Sequence, residues 1–199
     1  YAAHAREMGK DPDREPPFFF TKPADALVPN NATVPYPPRT ANFHHEIELV
    51  VAIGKAGRNI PVAEALDYVY GYAVGNDLTR RDLQLEARDK GRPWDTGKAF
   101  DLSAPITAIV PASQCGHLSK GRIWLTVNGE TRQNADLSEL IWDVPEIVAK
   151  LSTLFTLAPG DLIFTGTPAG VGPLKVGDRV EGGIDGLDVL VTNIGPSEA

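Results

Sequence analysis

The chain has 199 residues, with 19 Lys and Arg against 26 Asp and Glu, a formal net charge of -7 and 42% hydrophobic residues, the proportions of one globular domain. The acidic balance and the scatter of its basic residues argue against a nucleic-acid partner, and no apolar run approaches the roughly 20 residues of a membrane span. The single cysteine, Cys115, excludes a disulfide framework and any multi-cysteine zinc site and is compatible with a cytoplasmic setting.

The chain opens on Tyr1 to Met8, which carries neither a basic leader nor an apolar signal core. The expectation is one domain over residues 1–199 that lacks an N-terminal strand. Pro12 to Pro38 is rich in proline and is expected to be extended or looped, with no long helix. Within it, Lys10 to Pro16 is polar and charged, the kind of loop that orders over a substrate. His44 to Ile53 alternates. Ile47, Leu49, Val51 and Ile53 point one way and Glu46 and Glu48 the other, which predicts a strand with one buried face.

Pro61 suits the first turn of a short helix through Tyr68, followed by a near-continuous apolar strand from Tyr70 to Gly75. Thr79 with Asp82 has capping-box spacing, and Arg80 to Lys90 reads as a helix stopped by Gly91 and Pro93. Ile106 to Val110 and Ile123 to Val127 read as strands, the second turning at Asn128-Gly129, a strong hairpin signal. Asp143 with Glu146 opens a helix whose Val144, Ile147, Val148, Leu151 and Leu154 share one face, predicted to pack on a sheet. From Leu157 onward, Pro-Gly-Asp, Val-Gly-Asp and Asp-Gly turns punctuate short strands. The fold class is α+β, β-dominated with a few short helices.

Glu46 and Glu48, two apart on one strand, place their Cβ atoms ~7 Å apart on one face, within reach of one cation. Alone, the pair reads as readily as a solvated strand face. Asp77 shifts the balance, because it ends a strand apolar on both faces, where a lone carboxylate is costly unless it is paired or binds a metal. Three carboxylates without thiolates favour a hard cation, Mg²⁺ or Mn²⁺, with Ca²⁺ as an alternative. His4 and Glu7, at i and i+3, have the spacing of a water-activating dyad or of an exposed helical pair. His44 and His45 flank the glutamates and read as core histidines; His117 reads as surface. Lys98, among aromatic and small residues, is either an oxyanion partner or a surface lysine. Arg81 and Gln84 lie one helical turn apart, facing either a cleft or solvent. The Gly-rich run Thr165 to Pro173 is neither a Walker loop nor a dinucleotide fingerprint, but its N–H groups and the Thr167 hydroxyl suit an anionic substrate as well as a plain hairpin turn.

With these residues in view, the chain resembles the fumarylacetoacetate hydrolase family over nearly its whole length. The resemblance rests on Tyr-Ala-Ala-His-Ala-Arg-Glu-Met, Phe-Thr-Lys-Pro, His-His-Glu-Ile-Glu-Leu, Gly-Tyr-Ala-Val-Gly-Asn-Asp-Leu-Thr-Arg-Arg-Asp-Leu-Gln, Gly-Arg-Pro-Trp-Asp-Thr-Gly-Lys-Ala-Phe-Asp and Thr-Gly-Thr-Pro-Ala-Gly-Val-Gly. Arg6 to Ala26 is similar to bacterial members that cleave fumarylpyruvate in gentisate and naphthalene breakdown. The resemblance implies a mixed β-roll, a homodimer and one divalent metal per subunit on Glu46, Glu48 and Asp77. It also implies His4 and Glu7 as the water-activating pair, and functional roles for Lys98, Gln84, Arg81 and Thr167. The family's domain begins with a strand ahead of Tyr1.

The reaction so implied is hydrolysis of the C–C bond of a 2,4-dioxo acid, with 3-fumarylpyruvate giving fumarate and pyruvate. In that reading His4 takes the proton of a water, Lys98 and Gln84 meet the oxyanion, and Arg81 and Lys22 contact substrate carboxylates. The alternatives are acylpyruvate hydrolysis, oxaloacetate decarboxylation, an oxo-acid isomerase or hydratase, and a metal-binding module without catalysis. Glu7→Ala separates the last from the enzymes, since only an enzyme would lose turnover while keeping its metal.

Overall fold

The computed structural model describes residues 1–9 and 16–197; the loop expected over Lys10 to Pro16 therefore lies almost wholly outside the described residues. In chain order the elements are α1 (Ala2–Glu7), β1 (Leu27–Pro29), β2 (Ala32–Pro35), β3 (Phe43–His45), β4 (Ile47–Ile53), β5 (Val69–Asn76), β6 (Thr79–Arg80), α2 (Arg81–Asp89), α3 (Asp95–Lys98), β7 (Ala104–Ile106) and β8 (Val110–Pro111). They continue with α4 (Ala112–Cys115), β9 (Arg122–Val127), β10 (Glu130–Asp136), α5 (Val144–Leu154), β11 (Leu162–Phe164), β12 (Gly172–Pro173), β13 (Arg179–Ile184) and β14 (Leu190–Gly195). The α+β class holds: strands form the body and the helices are few and short.

One sheet runs β1-β7-β5-β4-β11 with β8 beside β5; a second runs β10-β9-β13-β14-β2; a small third runs β12-β3-β6. The two larger sheets are mixed, with β1 and β7 parallel in one and β14 and β2 parallel in the other, and all other strand pairs are antiparallel. Ile47, Leu49, Val51, Tyr72 and Val74 join Ile123, Leu125, Val180 and Ile184 in one core. Burying this apolar area is the main stabilising term.

Several expectations are corrected. All seven residues of β4, Glu48 among them, are buried, not one face only; β5 and β11 close both its edges, and Val50 and Phe164 both crowd Gly75. The Thr79–Asp82 capping box is not formed. Asp82 instead accepts from Thr40 Oγ1 at 2.6 Å and from Ala41 N at 2.9 Å, and Arg80 is the N-cap of α2. The strand expected over Ile106 to Val110 is two strands that both pair with β5. Val62–Tyr68 is a 3-10 helix that lies against α5, while Val144, Ile147 and Val148 of α5 share the core with the strands. In α5 the last apolar position, Leu154, is 55% exposed while Ser152 turns inward to accept from Ile60 N.

Other signals hold. Asp143 and Glu146 form a capping box on α5, and Asn128 and Gly129, at φ of 52° and 81°, make the hairpin turn between β9 and β10. Among the described residues no helix is long and apolar enough to cross a membrane. His117 is exposed, though its Nδ1 lies 2.9 Å from the hydroxyl of buried Tyr72.

Candidate active site

Register builds the centre. Ile47 pairs with Asn76 at the end of the β4/β5 ladder, Glu46 N donates to Asn76 Oδ1 at 2.8 Å, and Asp77 N donates to Glu46 O at 2.8 Å. The strand alternation then turns Glu46 and Glu48 to the same side, against Asp77. One carboxylate oxygen from each of the three lies within 4.8 Å of the others, and all three residues are buried.

Cations surround them. Lys98, at the end of α3, sets its Nζ 2.7 Å from Glu46 Oε2, 2.7 Å from Asp77 Oδ2 and 2.6 Å from Thr79 Oγ1. Its three N–H groups are thereby engaged. Lys22 lies 2.9 Å from Asp77 Oδ1 and 2.9 Å from Ser103 Oγ, and donates also to the carbonyls of Lys98 and Leu78. Arg81 opens α2, whose inward face is Arg81, Gln84 and Ala87. Its guanidinium binds Glu46 Oε1, donates to Gln84 Oε1 at 2.6 Å and reaches His44 Nδ1 at 3.4 Å. Gly97 makes this approach possible, since a Cβ there would lie 2.7 Å from Gln84 N.

The proton balance differs sharply between the two glutamates. Burial alone would raise the Glu46 carboxyl, but Lys98 and then Arg81 outweigh it and hold it below the ordinary carboxylate range. Glu48 goes the other way. Burial raises it well above its usual value, the charges of Asp77 and Glu46 add to this, and neither Lys98 nor the 2.7 Å hydrogen bond from Gly166 N reverses it. Burial pushes the Lys98 ammonium down, but Asp77 and Glu46 more than compensate and it stays charged. Burial and the Arg81 charge lower His44 to about 4, so it is neutral beside that guanidinium.

A hard divalent cation fits this donor set. All three ligand candidates supply oxygen. Asp77 Oδ1 is buried and accepts no well-directed hydrogen bond, although Lys22 Nζ lies near it, and burial and its neighbours disfavour the Glu48 charge, which a cation would offset.

The dyad forms beside this centre. His4 Nδ1 lies 2.9 Å from Glu7 Oε2 on α1, and Gly170 N donates to the same carboxylate at 3.1 and 3.3 Å. His4 is also among the groups that lower the Glu46 carboxyl, after Lys98 and Arg81, which places the dyad within electrostatic reach of the carboxylates. Thr167 is buried in the same loop. Beyond Lys98 a cleft of about 430 Å³ opens, walled by Phe18, Phe20 and Trp94, with the Phe20 ring 5.2 Å from Lys98 Nζ and the Phe18 and Trp94 rings edge to face at 5.2 Å.

The candidate catalytic, substrate and metal residues therefore converge on one region. Arg81 and Lys22, expected on substrate carboxylates, and Lys98, expected at an oxyanion, are bonded here to the carboxylates of Glu46 and Asp77. Reasoning from sequence passed over His44, Asn76, Thr79, Ser103 and Gln133. Asn76 was marked by its place before Asp77; Gln133, in a polar strand, carried no local signal.

Residues 1–195 match the fumarylacetoacetate (FAA) hydrolase C-terminal family. The chain belongs to that family. Within it, the chain is 50% identical over 193 residues to a fumarylpyruvate hydrolase of Ralstonia sp, covering 96% of this chain and 100% of that one. It superposes with a TM-score of 0.97 on the crystal structure of fumarylpyruvate hydrolase from Pseudomonas aeruginosa in complex with Mn²⁺ and pyruvate, at 57% identity, covering 99% of this chain and 86% of that one. A mitochondrial oxaloacetate tautomerase of Homo sapiens is 46% identical over 94% of this chain and 84% of its own length. The family, these hydrolase relatives and the carboxylate centre make the chain a metal-dependent hydrolase.

Proposed function

We propose that this family member cleaves the C–C bond of 3-fumarylpyruvate, adding water to give fumarate and pyruvate, as a step in aromatic-ring breakdown. The observation that carries the reading is the Glu46, Glu48 and Asp77 cluster, with the His4–Glu7 dyad and the Thr167 loop beside it, in a chain 57% identical to the fumarylpyruvate hydrolase that holds Mn²⁺ and pyruvate. Glu46, Glu48 and Asp77 would hold Mg²⁺ or Mn²⁺, which supplies Lewis acidity toward the 2-oxo acid end of the substrate. A 2,4-dioxo acid suits such a centre, because its carboxylate and neighbouring oxygens are hard donors of the same kind.

Glu7 accepts the Nδ1–H of His4, leaving Nε2 as the basic nitrogen that takes the proton of the attacking water. Gly170 N–H holds Glu7 in turn. Gln84 gives its Oε1 to Arg81, so its amide N–H₂ is the end presented to the oxyanion that forms at the distal carbonyl. Lys98 joins it by releasing its one uncharged acceptor, Thr79. Arg81 and Lys22 act through the ligands they hold. The distal acyl group lies along the Phe18, Phe20 and Trp94 wall. The reading extends to a single catalytic domain working as a homodimer in the cytoplasm, in keeping with its one free thiol, Cys115.

The test is the loss of fumarylpyruvate absorbance on protein stripped with EDTA and resupplied with Mg²⁺ or Mn²⁺. Turnover that vanishes and returns, with fumarate and pyruvate as products, is expected. Intact fumarylpyruvate in the presence of folded, metal-loaded protein overturns the substrate. A second reading, action on oxaloacetate, is favoured by the 46% identity to the oxaloacetate tautomerase and is measured in the same assay.

A further inference from the structure

Gln133 is the one buried residue of β10. The strand slips register between Thr131 and Gln133, a bulge of the kind that re-aims a side chain. Here it turns Gln133 inward and sets the Arg132 carbonyl against Gly170, where a Cβ would come within 2.0 Å of that oxygen.

The Gln133 amide is saturated. Its Oε1 accepts from Ile47 N at 3.1 Å and from His45 Nδ1 at 2.9 Å; its Nε2 donates to Pro168 O at 2.8 Å and to Thr167 Oγ1 at 2.7 Å. Two of these partners leave no choice of orientation, since Ile47 N only donates and Pro168 O only accepts. The other two bonds then acquire a fixed polarity. His45 must carry its proton on Nδ1, and Thr167 must accept from Gln133, so the hydroxyl proton of Thr167 points elsewhere. Among the described residues Thr167 Oγ1 has no other hydrogen-bond partner. Its loop also delivers Gly166 N to Glu48 and Gly170 N to Glu7, so that proton is offered inside the site.

We propose that Gln133 is a positioning residue that fixes the Thr167 hydroxyl as a hydrogen-bond donor to the carboxylate of the bound oxo acid. The inference rests on the dioxo-acid reading above only in naming that anion. Two amide protons and two backbone anchors make Gln133 a polarity switch with one setting. A carboxylate in its place would attract the Thr167 proton and reverse the hydroxyl, whereas a protonated carboxyl still has one O–H to give.

The experiment is a double-mutant cycle of Gln133→Glu and Thr167→Val, read as KM and kcat for fumarylpyruvate and as the affinity of Mn²⁺-loaded protein for pyruvate by calorimetry, near pH 5.5 and pH 8. Gln133→Glu should raise KM and weaken pyruvate about tenfold to a hundredfold near pH 8, with kcat changed less, and should recover toward the parent near pH 5.5. In the Thr167→Val background it should cost less than threefold further. Gln133→Met, which has no proton to give at either pH, should show no recovery and controls for packing. Additive losses, or a defect that ignores pH, overturn the role of Gln133. A parent protein that binds pyruvate with this coupling but leaves fumarylpyruvate intact overturns the substrate and keeps the positioning role; one that does neither overturns both.

Discussion

Replacing Lys98 by Met tests the electrostatics of the centre directly, because the chain length is kept and the charge is lost. The Lys98 side chain is 3% exposed and its ammonium touches two carboxylates at 2.7 Å. At an effective dielectric near 20 each such contact is worth about 6 kcal/mol, much of which offsets the several kcal/mol needed to desolvate the ammonium. Removing one partner from a buried pair leaves the other charges uncompensated, and the expected loss in metal-free protein is about 3 to 5 kcal/mol. For a chain of this size that corresponds to a fall in Tm of roughly 6 to 20 °C. Urea unfolding followed by the fluorescence of the three tryptophans would measure it. Mn²⁺ should restore more stability to Lys98→Met than it adds to the parent, since a divalent cation supplies the charge the ammonium gave. A metal-free variant as stable as the parent, or equal gains from Mn²⁺, would refute the reasoning.

Four further outcomes are expected. The folded Glu48 carboxyl is raised above its usual 4.5, so its burial costs the metal-free protein stability as pH climbs from there toward the folded value; the Tm gain from Mn²⁺ should therefore be larger near pH 8 than near pH 5.5, and a gain that shrinks with pH would contradict this. Gly170→Ala brings a Cβ within 2.0 Å of Arg132 O at a φ of 98°, costing about 1 to 3 kcal/mol in a urea melt, and it should lower kcat by displacing the N–H that holds Glu7. Trp94→Ala removes one wall of the aromatic cleft, and steady-state kinetics should show KM rising about tenfold for fumarylpyruvate and far less for acetylpyruvate. Finally, Mn²⁺ and pyruvate should each tighten the other's binding by the same factor in calorimetry; independent binding would separate the anion site from the carboxylates.

The parts of the fold that were legible in the sequence are those where a local signal met no tertiary competitor. Asn128-Gly129 turns where its φ preferences demand, and the Asp143 cap holds because both its partners lie within three residues. Thr79 and Asp82 had the same spacing and failed, because Thr40 and Ala41, about 40 residues earlier, take the Asp82 carboxylate and Lys98 takes the Thr79 hydroxyl. No local rule sees either partner. The burial of both faces of β4 was likewise hidden, since alternation reports which side chains share a face and not what covers it.

The same limit separates the candidate ligands from the residues around them. Asp77 declared itself by an energetic oddity that a sequence can show, an acidic side chain ending a strand too apolar to bear it alone, and it drew in Glu46 and Glu48, whose spacing alone suited a solvated face equally well. Gln133 shows no oddity. Its polarity is ordinary for an edge strand, and only the bulge before it turns the side chain into the core. Arg81 and Lys22 are intermediate: their charge suggested anions, and the structure gives them anions, but ones belonging to the protein. Glu46, Glu48 and Asp77 face Lys98, Lys22 and Arg81, and with burial disfavouring the Glu48 charge the centre carries no excess of negative charge before anything binds. A divalent cation then brings a surplus of two positive charges into a low-dielectric interior, and an anion that arrives with it removes the penalty. A centre with no negative excess without a metal would favour metal and oxo acid as a pair over either alone, and on the proposed reading that is how an acidic chain holds an anionic substrate.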